Sequence, residues 1–513
     1  MTTHDETRSR MNPHRLDRRD FLRLTALGIG TGAAMTLTGC DALDPRGAIS
    51  TVGRVDFRNR LHVPPLAEPA RRDGVTVFDL TARAGRSAIV PGGDAETWGL
   101  NGALLGPTLR ARRGEHVQID VTNELDEATT LHWHGMHLPA VADGGPHQMI
   151  EPGGTWSPRW RIDQPAATLW YHPHPHGATE RHVYRGLGGL FILDDDTESS
   201  LALPRRYGID DIPVIVQDKT FDRRGRLVDT SRRDNGMIGD TVLVNGTAGP
   251  ILEVTSQLTR LRLLNASTAR SYSFGFSDDR EFSMIASDGG LLREPVGLNR
   301  VRLTPGERAE IVVRMDPGET TTLRSYPQDL GLSSGRSRST GATDTLDVLL
   351  LDAAGRLDPS AALPARLATI DRFDEAAVAE TREFELRNNR INRESMDMNR
   401  IDDVVTVDTT ELWEVWNGHR QPHNFHVHDV QFQVLGVDGG PPPPELSGWK
   451  DTVYLPPDVR LRLGLRFTRY ADPDVPYMYH CHLLWHEDQG MMGQFVVVEP
   501  GQEPGDLGVR HSH

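Results

Sequence analysis

The chain has 513 residues, 37% of them hydrophobic, with 50 Gly and 34 Pro. It is too long for a single hydrophobic core and too rich in chain-breaking residues for an assembly of long helices. A formal charge of -16 argues against a nucleic-acid partner, which requires basic patches, and two cysteines, Cys40 and Cys481, exclude a disulfide framework.

At the N-terminus, Asp17-Arg18-Arg19-Asp20-Phe21-Leu22 precedes a mildly apolar run from Phe21 to Thr38, interrupted by Arg23. The arginine pair resembles a twin-arginine export signal, and Leu37-Thr38-Gly39-Cys40 resembles a bacterial lipoprotein cleavage box. Residues 1–39 are expected to be a signal segment and Cys40 the lipidated first residue of the mature chain. That address puts the protein on the outer face of the cell membrane or in the periplasm, held to the membrane by the lipid alone.

The remainder reads as about three domains of ~150 residues. His116-Val117-Gln118-Ile119-Asp120-Val121 and Val459 to Phe467 alternate apolar and polar residues, the period of a half-buried strand. Val121-Thr122-Asn123, Leu263-Leu264-Asn265 and Val415-Trp416-Asn417 each end such a run, which marks an internal repeat of domain size. The expected fold class is all-β, with domains over residues 50–200, 205–355 and 365–500 and a tail over 501–513. A Gly-, Ser- and Arg-rich stretch from Gly331 to Thr343 reads as a loop or linker.

Nine residues beyond the repeated Asn stand His132-Trp133-His134 in the first copy and His426-Val427-His428 in the third. The middle copy has Phe274 there, followed by Phe276, and reads as a spacer. A second pair follows in each outer copy, at His172 and His174 and at His480 and His482. Six His-x-His pairs occur where residue frequency alone predicts about one, so four pairs in matching positions are a designed feature. His176 has no matching partner and is expected either to support a metal-binding histidine from behind or to face solvent, and His511 and His513 lie in a polar tail expected to be disordered rather than metal-binding. In a strand, residues i and i+2 share a face about 7 Å apart, so each pair offers two imidazoles to one side. Imidazole suits both copper and zinc.

Cys481 chooses between them. It lies between His480 and His482 and faces the opposite way, with His486 and Met491 downstream and His423 upstream. Two His, a Cys and a weak Met form the ligand set of a blue-copper electron-transfer site. Pro173 takes the place of the Cys in the first copy, so only the third carries such a site.

On these motifs the chain resembles the three-domain multicopper oxidases, the laccase-like family, over nearly its whole mature length. The resemblance implies three cupredoxin-like Greek-key β-sandwich domains and four copper ions. It assigns His423, Cys481, His486 and Met491 to the type 1 copper, and His132 and His426 to type 2. His134, His172, His174, His428, His480 and His482 go to the type 3 pair, the trinuclear cluster lying between domains one and three. It further implies dioxygen as electron acceptor, and Asp143 and Glu487 as acids that deliver protons or orient a histidine.

The expected reductant is a small phenol or aromatic amine approaching an exposed edge of a type 1 histidine. The alternatives are cuprous ion, as in copper-efflux relatives, and a non-catalytic envelope protein that keeps the fold without its ligands. Met396 and Met398 offer soft sulfur for cuprous ion, but His419 and Gln421 replace the Asp and Met that efflux oxidases carry before the first type 1 histidine.

Overall fold

The computed structural model describes residues 47–230 and 235–507. Arg18, Arg19, Cys40, His511 and His513 lie outside them, so the readings placed on those residues have no structural counterpart. No helix of the described residues is long and apolar enough to cross a membrane.

The described residues form six sheets that enclose three apolar cores. In the first sandwich the strand His116–Asn123 alternates as its sequence predicts. Val117, Ile119 and Val121 point into a core shared with Trp133, Tyr171 and Phe191 of the facing sheet. Burial of such side chains contributes about 1.5–3 kcal/mol each, which fixes which residues face outward. The third sandwich joins Val378–Arg387, Thr410–Asn417, Arg460–Arg466 and Phe432–Val437 in one sheet and Met492–Val498, Asp472–His480 and His423–Val427 in the other. Neighbouring strands that are far apart in sequence give Greek-key connections. Residues 50–60, expected with the first domain, run along the second sandwich instead: Asn59–Arg60 pairs with Pro250–Ser256, and Ser50 bridges Thr345.

The repeated asparagine is a structural part. Asn123, Asn265 and Asn417 are buried ends of equivalent strands, and their amides make the same three bonds. Each Oδ1 accepts from the backbone N–H two residues on, at Leu125, Ser267 and His419. Each Nδ2 donates to a carbonyl just downstream, at Glu127, Arg270 and Gln421, and to one across the sheet, at Ile150, Leu303 and Leu455. The asparagine thus locks the loop that leads into the next strand of each copy, which bears histidines in the first and third and none in the middle one.

One expectation is corrected here. The downstream carbonyl lies four residues on from Asn123 and Asn417 but five on from Asn265, so the middle copy carries one extra residue before its strand. In register, Tyr272 opposes Leu303 and Phe274 opposes Val301, as His423 opposes Leu455 and Phe425 opposes Val453. Phe274 is therefore the counterpart of the core residue Phe425, and Gly275 is the counterpart of His426. A slip of one residue in a strand exchanges its two faces, and counting from the asparagine compared residues on opposite sides.

Candidate metal centre

His132 and His134 lie on a strand paired with Ala167–His172, with His132 opposite His172. His426 lies opposite His480 in the third sandwich. The outward faces of the two sandwiches meet, and all eight paired histidines converge with exposures of 0–1%. Two sets of three nitrogens form. His134 Nδ1 and His482 Nε2 each lie 3.4 Å from His172 Nε2. His174 Nε2 and His428 Nε2 lie 3.0 and 3.1 Å from His480 Nε2. His132 and His426 stand beside both sets, and their Nε2 atoms are buried without a hydrogen-bond partner.

The outer nitrogens explain which inner ones hold lone pairs. A carbonyl or carboxylate only accepts, so a ring nitrogen bonded to one carries the proton. His132, His172 and His426 donate from Nδ1 to the carbonyls of Asp143, Pro173 and Asp451 at 2.8–2.9 Å. His428 Nδ1 donates to Asp143 Oδ2 at 2.7 Å, and His134 Nε2 to Asp451 Oδ1 at 2.9 Å. The inward nitrogens of these five rings are left as lone pairs aimed at one another. Burial, aided by neighbouring rings, holds the acidities of His134, His172, His426, His428 and His482 well below the ordinary imidazole value, and that of His174 at about 4. A buried set of neutral, mutually facing lone pairs costs free energy unless cations sit among them. The residues present fit metal ions.

The strand Asp472–His480 ends before Cys481, so Cys481 and His482 are not the strand residues that were expected. Cys481 Sγ lies 3.5 Å from His423 Nδ1 and 3.6 Å from His486 Nδ1, which are 3.2 Å apart. Met491 is fully buried and its backbone carbonyl accepts from Cys481 N–H. Burial pushes the Cys481 thiol up to about 12, so a bound cation, which deprotonates a coordinating thiol, must supply the thiolate. Asn424 spans both sites: its Oδ1 accepts from His482 N–H at 2.6 Å and lies 3.7 Å from Cys481 Sγ.

Asp143 touches two histidines, through Oδ2 to His428 and with Oδ1 3.3 Å from His132 Nδ1. Glu487 is buried with one oxygen 3.2 Å from His480 Nδ1 and the other 3.6 Å from His174 Nε2. His176 is exposed, which selects the solvent-facing of its two expected placements.

Three segments of the chain, residues 83–198, 212–326 and 364–501, match the family described as multicopper oxidase. The chain is 36% identical to the multicopper oxidase mco of Staphylococcus haemolyticus, over 86% of this chain and 93% of that one. The chain belongs to the multicopper oxidase family. It is also 37% identical to the cell division protein FtsP of Dickeya dadantii, over 94% of this chain and 98% of that protein. Among solved structures it is similar to a laccase from Pediococcus acidilactici, with a TM-score of 0.79 and 36% identity over 87% of this chain and 95% of that one. A laccase-like multicopper oxidase from Ochrobactrum sp. matches with the same TM-score and 36% identity, over 85% of this chain and all of that one (100%). Multicopper oxidases bind copper and use dioxygen and a reductant, and the all-β fold of three sandwiches agrees with that membership.

In this multicopper oxidase the middle sandwich does more than separate the other two. Arg308 is fully buried and clamps Asp451, with Nη1 2.7 Å from Oδ1 and Nη2 2.6 Å from Oδ2, while Asp451 in turn holds His134. Lys450 pairs with Asp288 and Glu307 of the middle sandwich at 2.9 and 2.8 Å. Gly306 approaches the rings so closely that an added Cβ would come within 3.1 Å of His134 and His482. Sequence reasoning missed Asp451, Arg308 and Gly306. Lys450-Asp451 beside apolar Val453 and Leu455 was a usable signal, since adjacent charges in a buried strand need partners. The partner, 143 residues away, was not legible.

Proposed function

We propose that the protein is a copper oxidase that takes single electrons from an aromatic reductant and delivers them to dioxygen. The observation that carries the reading is the adjacency of two sites along three consecutive residues, a His-Cys-His site at Cys481 and a buried histidine cluster at His480 and His482. His423, Cys481, His486 and Met491 would hold a type 1 copper, His132 and His426 a type 2 copper, and the two sets of three histidines a type 3 pair. Copper, when bound, supplies reversible one-electron storage. Four one-electron oxidations of a phenol release four protons and four radicals, and the four electrons with four protons convert one dioxygen to two waters. In this scheme Asp143 orients His132 and His428, and Glu487, a carboxylate buried against His174 and His480, stands on the route by which protons reach the oxygen site.

Cuprous ion as reductant has one supporting observation. Met396 N–H donates to Gly490 O at 3.0 Å, which sets the Met396 to Met398 loop beside Met491. Against it stand His419 and Gln421, neither of which offers the soft thioether that cuprous ion prefers. A non-catalytic role requires lost ligands, and all twelve positions are filled. Oxidase activity towards lignin model compounds and lignosulfonate is stated for the Ochrobactrum relative, and this favours aromatic substrates. We further propose export through Arg18 and Arg19 and anchoring through Cys40.

The test is oxygen consumption by copper-loaded protein with phenols, aromatic amines and cuprous ion side by side, together with Cys481→Ser. The variant is expected to be colourless and inactive while retaining copper at the histidine cluster. An intense blue band in that variant would overturn the assignment.

A further inference from the structure

The type 1 site has no open edge. His423, Cys481, His486 and Met491 are each 0% exposed. The ring next in line is His419, which is half-buried and lies nearly parallel to His423, with ring centroids 5.8 Å apart and planes 20° apart. A reductant therefore approaches through the surroundings of His419, and those surroundings are cationic.

Glu385 and Arg387 both pack over the neighbouring Gly418, where an added Cβ would meet the Glu385 carboxylate first and come within 2.9 Å of the Arg387 guanidinium. Arg336, on the short helix Ser334–Ser339, and Arg387 both disfavour a proton on His419, after the larger effect of burial. Arg420 follows His419 directly and is exposed. Arg387 also lines a 690 Å³ cavity whose other walls are Glu385, Asn388, Arg390 and Arg393. Glu385 pairs with Arg387 at 2.8 Å. Among the described residues Arg336, Arg390, Arg393 and Arg420 have no carboxylate within 4.0 Å. In the cavity wall three guanidinium groups thus face one carboxylate. An uncompensated positive rim is unexpected on a chain whose formal charge is -16. Local fields of this kind raise the encounter rate of oppositely charged ligands by roughly ten- to a thousandfold at low salt.

We infer that the reductant is an anionic aromatic, a phenol bearing a carboxylate or sulfonate, captured by the arginines around His419 so that its ring lies against the approach to His423. This rests on the oxidase reading and narrows its substrate class. The electron leaves the phenol ring, the phenolic proton passes to solvent, and the acid group stays ionised and bound to guanidinium. Cuprous ion, a cation, is repelled by the same rim.

The experiment compares syringate, an anion, with methyl syringate, its neutral ester, using copper-loaded protein. Sodium chloride is varied from about 10 mM to about 500 mM, a range over which screening shortens the reach of charge several-fold. At low salt kcat/KM for syringate is expected to exceed that for the ester by roughly tenfold, and the gap closes as salt rises. Arg387→Gln combined with Arg393→Gln brings the ratio of the two close to one, with an unchanged blue band showing that the variant is folded and loaded. A ratio that ignores both salt and the substitutions overturns the inference and leaves the oxidase reading standing. A protein that oxidises neither compound and shows no blue band sinks the oxidase reading. Calorimetric titration with benzenesulfonate, a non-reducing aromatic anion, then decides the rim separately. Salt-sensitive binding abolished by the double variant upholds the anionic site, and absence of binding removes it.

Discussion

The strands Tyr272–Phe276 and His423–Val427 occupy the same place in the middle and third sandwiches, and each follows an asparagine that makes the same three bonds. Their inward residues serve the same purpose, since Phe274 and Phe425 each fill a core. Their outward residues differ: Gly275 in one, His426 in the other. The sandwich is indifferent to what its outward face carries, because core burial and the asparagine anchor stabilise it from the other side. Metal chemistry can be placed on one copy and omitted from another without altering the fold.

The largest effect is expected when the third strand is made to resemble the middle one. His426→Gly removes a buried ring from the histidine cluster and should reduce oxygen consumption to background and lower the copper content, while the blue band of the Cys481 site survives. Retention of full copper content, read by metal analysis, would show that His426 holds none.

Next in size is the link by which the middle sandwich supports the other two. Arg308→Met leaves Asp451 buried without its cation, at a cost of about 3–5 kcal/mol. Denaturant unfolding should show this loss, and the blue band should change less than the oxygen-reducing activity, because Asp451 touches His134 rather than His423.

A smaller change tests the support from the first sandwich. Asp143→Asn keeps the shape but weakens the acceptor for His428 Nδ1, and removal of such partners lowers metal affinity or activity roughly 10–100-fold. Steady-state turnover and copper retention under a chelator measure it, and an unaltered variant would leave Asp143 without a role in either.

The least effect on activity is expected from the reverse exchange. Gly275→His adds the third copy's residue to the middle strand, where a Cβ would lie 2.5 Å from Asn299 O and from Arg300 Nη1. Such overpacking costs about 1–3 kcal/mol, and no further copper should bind, because one imidazole finds no converging partners there. Thermal melts and metal analysis of the variant check both statements.

Much of the site was legible because its information is local. A period of two puts His132 with His134 on one face of their strand, and sequence adjacency ties Cys481 to His480 and His482 whatever the rest of the chain does. Ligand type, the likeness of the outer copies and the all-β class follow from the sequence alone for the same reason, since each depends on residues a few positions apart. The register of the middle copy was not legible. A single extra residue after Asn265 exchanges the faces of the strand, and only the cross-strand pairing of Phe274 with Val301 reveals it. Tertiary structure alone also decided which nitrogen of each ring points inward, because that depends on carbonyls such as Asp451 O, which the fold brings to His426 from 25 residues away. It decided that Arg308 braces His134 through Asp451, which lies 317 residues from that histidine, and that His419 stands over a Cys481 site whose own side chains are fully buried. Sequence specifies which groups are available, whereas their protonation, orientation and exposure depend on neighbours that only the closed fold supplies.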